Sequence, residues 1–129
     1  MKGIVFLGQH KLEIQEFEDP TPGPDEVILE IKASGMCGSD LKVYRAVEGP
    51  SSLGLGGEDK QVIAGHEPCG TIVELGKNVN KDNFKIDMNV MQHHYKGCGT
   101  CVHCSTGWQQ LCVDGVKEVF GVTGHGAHA

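Results

Sequence analysis

Residues 97–112 read GCGTCVHCSTGWQQLC. Cys98, Cys101, Cys104 and Cys112 stand there with two, two and seven residues between them, four soft ligands inside 15 residues. Zinc takes thiolates at about 2.3 Å in a tetrahedron, and two-residue spacers let successive sulfurs converge on one point. Gly97 and Gly99 permit the turns that such convergence needs. Four protein ligands leave no open position, so a metal held this way stabilises structure and does not activate water or substrate. Two other readings compete. Six cysteines is an even number, compatible with a disulfide framework. That reading wants an oxidising compartment, and no secretion signal is visible. Iron–sulfur proteins also use two-residue gaps, but the following Cys-Pro is missing. Zinc is the expectation, in a lobe spanning about residues 93–115. His93, His94 and His103 lie close by and read as surface residues.

Around this lobe the composition sets bounds. A chain of 129 residues suits one domain with a real core. Eleven Lys and Arg against 17 Asp and Glu give a net charge of −6. No basic block or basic helix face occurs, which argues against nucleic acid and against an anionic membrane surface. No apolar run is long enough to span a bilayer. The start, MKGIVFLGQHKLEIQ, lacks the long apolar stretch of a secretory leader. The chain therefore reads as soluble and cytoplasmic. Nineteen Gly beside 4 Phe, 2 Tyr and 1 Trp suit short strands joined by tight turns.

Upstream of the lobe, β signals dominate. Lys2–Leu7 and Leu12–Phe17 read as strands across a Gly8–His10 turn. Pro20, Pro22 and Pro24 enforce an extended connector. Val27, Leu29, Ile31 and Ala33 then share one face, with Glu30 and Lys32 on the other, the period of a half-buried strand. A short helix is predicted from about Ser39 to Ala46, capped by Ser39 or Asp40. Glu48–Lys60 reads as loop. Further strands are predicted at Gln61–Ala64, Thr71–Leu75, Phe84–Gln92 and Glu118–Val122. No βαβ alternation is visible, which disfavours a doubly wound sheet and leaves a small open barrel.

A second group of chemically active residues lies in Gly35-Met36-Cys37-Gly38-Ser39-Asp40 and Gly65-His66-Glu67. A lone cysteine is most often a small buried hydrophobe, and Cys69, with no motif around it, is read that way. Cys37 and His66 together are the ligand types of a zinc that keeps a free position. Asp40 is placed to accept the second ring N–H of His66. Ser39 offers a hydroxyl that can pass a proton.

Gly35–Asp40, Gly65–Glu67 and the four-cysteine lobe, in this order, resemble the zinc-containing medium-chain dehydrogenases, in particular the alcohol, polyol (sorbitol-like) and threonine dehydrogenases. The resemblance covers essentially the whole chain. It implies a mainly β, GroES-like, partly open β-barrel over residues 1–129, with a catalytic zinc beside the structural one. Cys37 and His66 match the catalytic ligands, and Glu67 the carboxylate at or near that metal. Ser39 matches the proton-relay hydroxyl and Asp40 the carboxylate behind the histidine. Cys98, Cys101, Cys104 and Cys112 match the structural set. The implied activity is oxidation of a small alcohol or polyol: zinc favours the alkoxide, and a hydride passes to NAD or NADP.

Three departures from the family pattern are visible. Lys42 stands where many relatives end the relay with histidine. The Gly-Asp-Arg-Val turn before the lobe has become Asp87-Met88-Asn89-Val90, which asks Asp to adopt a conformation that glycine adopts more easily. No Gly-x-Gly-x-x-Gly follows a strand and opens a helix, and Gly54-Leu55-Gly56-Gly57 is only a Gly-rich loop. A Rossmann domain is thus expected to be absent from these residues, and a further zinc ligand to lie beyond position 129. The chain alone is expected not to transfer hydride, and to self-associate or be disordered around Cys37–Lys60 where a cofactor domain would dock. The competing expectations are a stand-alone zinc-binding module acting through protein contacts and, on fold alone, a chaperonin-cofactor-like oligomer.

Overall fold

A computed structural model describes residues 1–48 and 61–128. The Glu48–Lys60 loop, with Gly54–Gly57 inside it, falls outside the described residues beyond Glu48.

Strands β1 (Lys2–Gly8) and β2 (Lys11–Glu16) form an antiparallel hairpin. Its turn runs through Gly8, Gln9 and His10, all at positive φ (76°, 53° and 61°). β3 (Val27–Gly35) leads into helix α1 (Gly38–Arg45) and pairs antiparallel with β4 (Glu67–Leu75), which in turn pairs with β5 (Asn89–Met91). The lobe follows: β6 (Tyr95–Lys96), the one-turn helix α2 (Val102–Ser105), a 3-10 turn at Gln109–Leu111, and β7 (Glu118–Val119), which pairs back with β6. The structure is mainly β, as the resemblance implies.

No hydrogen-bond ladder joins the hairpin to β3 among the described residues. A cavity of about 440 Å³ lies between them, lined by Ile4, Ile14, Ile31, Ala33 and Ala127 among others. The barrel is therefore open on this side. Its core is small: Val5 and Phe6 from β1, Ile72 from β4, and Ile63 and Ala64 from the segment before β4. Ile63 and Ile72 are fully buried, worth about 1.5–3 kcal/mol each relative to exposure.

Several expectations change. Gln61–Ala64 is not a strand. Its backbone is nonetheless tied on both sides, by Ala64 N to Ile4 O (2.9 Å) and Gly126 N to Ile63 O (2.7 Å). Short single contacts of this kind do not propagate into a ladder. The Phe84–Gln92 strand shrinks to Asn89–Met91, because Asp87 turns the chain at φ 67°. Glu118–Val122 shrinks to Glu118–Val119. Ala33 is exposed although alternation puts it with Ile31, because the register slips between Ile31 and Ala33. A bulge there moves every later side chain to the opposite face.

Candidate metal centres

Two groups of ligand atoms stand out among the described residues. In each, the donor atoms lie within 4.8 Å of one another: the sulfurs of Cys98, Cys101, Cys104 and Cys112, and the triad Cys37, His66 and Glu67.

The register of β3 against β4 builds the triad. Gly35, the last residue of β3, pairs with Glu67, the first of β4. Cys37 lies two residues past that pair and His66 one residue before it, so the two chain ends diverge around one point. A side chain at Gly35 would strike that of Glu67, with Cδ only 3.3 Å away. Glycine makes the close pairing possible.

Cys37 is the N-cap of α1, where Ser39 or Asp40 was expected. Its extended backbone places the thiol over the first turn, and the Ser39 amide donates to Sγ at 3.3 Å. Asp40, at the third helical position, completes a capping box by accepting from Cys37 N through Oδ2 at 2.8 Å. The other oxygen of Asp40 faces Nδ1 of His66 at 3.2 Å, with both side chains buried. A carboxylate that already accepts one N–H fixes the His66 proton on Nδ1 and leaves Nε2 with a free lone pair. Nε2 lies 3.0 Å from Cys37 Sγ and 3.2 Å from Ser39 Oγ. Ser39 Oγ is itself 2.7 Å from Cys37 Sγ. That hydroxyl is the largest cause of a lowered Cys37 thiol pKa, with the Ser39 amide next. The donor set fits a borderline-soft metal: a thiol eased toward thiolate, an imidazole nitrogen held by a carboxylate, and a carboxylate, Glu67, on the exposed side.

In the lobe, amides point at sulfur. Cys98 N donates to Cys112 Sγ (3.3 Å), Cys101 N to Cys98 Sγ (3.4 Å) and Cys104 N to Cys101 Sγ (3.5 Å). The amides of Cys104 and Val113 bring the Cys101 thiol down to about 6, while burial pushes Cys104 up to about 11. Cys98 Sγ and Cys104 Sγ lie 3.9 Å apart. Two thiolates on a tetrahedral zinc stand about 3.8 Å apart by the bond lengths, so this spacing fits the ion. All six cysteines are free thiols in this structure. Gly97 leaves room for its neighbours: a Cβ there would collide with Cys104 Sγ and approach Cys112 Cβ at 3.2 Å.

Of the other histidines, His93 is exposed as expected and His103 is half-buried. His94 is also half-buried, with its ring 5.1 Å from that of His66 and 4.2 Å from that of Tyr95. Burial, then the neighbouring His66 and His93, lower its pKa. The β4–β5 register carries the signal that places it: Cys69 pairs with Met91, and extending the ladder by three residues sets His94 opposite His66. Lys42 is exposed on α1, and Cys69 is half-buried within β4.

The Alcohol dehydrogenase GroES-like domain family matches residues 23–129. An uncharacterised zinc-type alcohol dehydrogenase-like protein of Escherichia coli K12 is 33% identical over 100% of this chain and 36% of its own length. A sorbitol dehydrogenase of Halalkalibacterium halodurans is 36% identical over 87% of this chain and 31% of its own. The cobalt- and zinc-bound thermostable alcohol dehydrogenase of Pyrobaculum aerophilum superposes with a TM-score of 0.78 at 27% identity, covering 98% of this chain and 36% of that one. The chain spans about a third of the length of these proteins. With a matching fold and a family match over most of its length, the chain belongs to the alcohol dehydrogenase GroES-like domain family.

Proposed function

We propose that this chain is the substrate-side domain of a zinc-dependent, NAD- or NADP-linked alcohol or polyol dehydrogenase. Cys98, Cys101, Cys104 and Cys112 hold a structural zinc. Cys37, His66 and Glu67 hold a catalytic one, with coordination left open for substrate. The observation that carries the reading is the triad with a hydroxyl beside it: Ser39 Oγ within 3.2 Å of His66 Nε2 and 2.7 Å of Cys37 Sγ. When bound, zinc supplies Lewis-acid stabilisation of negative charge on a substrate oxygen. Ser39 takes the proton that the substrate hydroxyl gives up, at its own Oγ, and hands it outward. Asp40 acts through His66 by holding its ring and tautomer, and so is a positioning residue. Lys42, in the place of a relay histidine, is exposed and leaves Ser39 as the proton's route to water.

Residues 1–129 alone hold metal and do not move a hydride, since no strand–Gly-rich turn–helix unit of a dinucleotide site occurs among the described residues. Exposed apolar side chains, Met36 (58% exposed) and Met91 (83%), favour self-association of the isolated chain.

The test is NAD(P)-linked oxidation of simple alcohols and polyols by the protein that carries this chain together with a cofactor-binding region. Ser39→Ala lowers kcat by about 10²–10⁴-fold, and residues 1–129 alone show no turnover. Full activity of Ser39→Ala, or of Cys37→Ser, contradicts the proposal.

A further inference from the structure

His66 leaves the chain from a peptide that is clamped on both sides, and the clamp is made of glycines. Gly65 is buried at φ +90°. Its carbonyl accepts from Ala127 N at 3.1 Å, while His128 N donates to Ala64 O at 2.9 Å and Gly126 N to Ile63 O at 2.7 Å. The 121–128 segment therefore lies directly on the 63–65 backbone. A Cβ on Gly126 would strike the carbonyl oxygens of Gly65 and Ala64, the latter at 2.6 Å. A Cβ on Gly121 would strike the same Gly65 peptide, with its carbonyl carbon at 2.8 Å. On another side of Gly65 the His128 ring closes in: a Cβ on Gly65 would meet its Cγ at 2.8 Å.

The neighbours of Gly121 and Gly126 are backbone atoms, which cannot rotate aside as a side chain can. Gly124, in the same segment, is different: the three atoms nearest a Cβ there all belong to the side chain of Glu118. We propose that Gly121 and Gly126 are positioning residues for His66, their bare Cα atoms letting the 121–128 segment seat the Gly65 peptide and so aim the imidazole. The inference rests on the reading of Cys37, His66 and Glu67 as a metal site. Gly126 carries it most cleanly, because its own φ is not in the left-handed region and only contact forbids a side chain there. Displacing Gly65 moves both ends of the ring at once, Nε2 from Cys37 Sγ and Nδ1 from Asp40. The lobe is untouched, since its sulfurs are held by amides of its own loop.

The experiment is cobalt titration of the full chain, read by absorption. Four thiolates in the lobe and one in the triad give separable charge-transfer and ligand-field bands. Gly126→Ala is expected to weaken triad affinity by about 10- to 100-fold, as loss of an outer-sphere support does, with lobe binding unchanged. Gly124→Ala is expected to leave both sites as in the wild type. Two ions bound at wild-type affinity in folded Gly126→Ala, or an equal loss in Gly124→Ala, overturns the inference alone. A wild type that loads cobalt only in the lobe overturns the metal reading and the inference with it. Should Gly126→Ala not fold, Gly121→Ala carries the test, since its added Cβ would meet the same Gly65 peptide. A selective loss of triad affinity supports the assignment, and unchanged affinity overturns it.

Discussion

Asp40 makes two bonds with one side chain, and they belong to different levels of the structure. Oδ2 closes the first turn of α1 by accepting from Cys37 N. Oδ1 reaches a histidine from another part of the chain. Asn at this position keeps the shape and one acceptor oxygen but loses the carboxylate's charge and one of its two acceptors. Asp40→Asn is therefore expected to weaken metal binding at the triad by about 10- to 100-fold. The cap itself loses only about 0.5–1 kcal/mol or less, Asn being nearly as good near a helix start. Calorimetric titration beside a denaturation curve separates the two. A large loss of stability with unchanged metal affinity would place Asp40 in the helix alone.

At the scale of elements, the hairpin turn and helix α1 act as one unit. The helix ends at Arg45, and its last carbonyls are met from outside: Gln9 N donates to Ala46 O and His10 N to Tyr44 O, both at 2.9 Å. The Gln9 amide side chain donates to Val47 O, also at 2.9 Å. Two non-glycine residues at positive φ are the cost of aiming those donors, about 1–2 kcal/mol each by the usual steric penalty. The hairpin thereby holds the far end of the helix whose near end presents Cys37, Ser39 and Asp40. Gln9→Ala removes one of three bonds and is expected to cost about 1 kcal/mol in urea denaturation. No change in midpoint would show that the side-chain bond contributes nothing.

Elements also show where the sequence was legible. The hairpin, β3, α1 and the cysteine loop could all be read from local pattern, because apolar alternation, a short polar helix start and cysteine spacing are local signals. Asp87 was legible too, since a turn that asks for positive φ names its own residue. The exposure of Ala33 was hidden, because a bulge depends on the partner strand. Cys37 as helix cap was hidden by its reading as a ligand, although one side chain can serve both roles. His94 was missed because its neighbour His66 is set by strand register, which one strand's sequence does not reveal. The glycines at 121 and 126 looked like ordinary loop residues until the segment they press against was in view.

For the whole molecule, the lobe is tied to the barrel by an ion pair as well as by chain connection. Lys96 on β6 donates to Glu26, just before β3, at 2.7 Å, with Glu118 at 4.0 Å. The pair lowers the Glu26 pKa, mainly through the hydrogen bond from Lys96, and raises that of Lys96 through the same bond. Stability from the lowered carboxyl is present above its unfolded value and lost as pH falls through the folded one. Stability from the raised amine is present below its unfolded value and lost as pH rises through the folded one. The contribution is thus full between about pH 5 and pH 9.5, outside which the ordinary Glu and Lys values come into play. Both side chains are about half exposed, so solvent screening limits it to about 0.5 kcal/mol. Glu26→Gln should lose that amount across the window, and progressively less as acid protonates the Glu26 carboxyl in the folded state. A difference that persists in acid would point to packing instead of charge.

Among the described residues no helix is long and apolar enough to cross a membrane. On the function proposed above, the two candidate metal centres divide the work: the four-cysteine lobe would fix a loop, and the Cys37–His66–Glu67 group would face substrate. Zinc content of the purified chain tests this division most directly, measured on wild type, Cys37→Ser and Cys101→Ser. Two ions in the wild type are expected, falling to one in Cys37→Ser with the lobe ion retained, while Cys101→Ser loses the lobe ion. A wild type without metal, sulfurs paired as disulfides, or a zinc content indifferent to Cys37 would contradict the account.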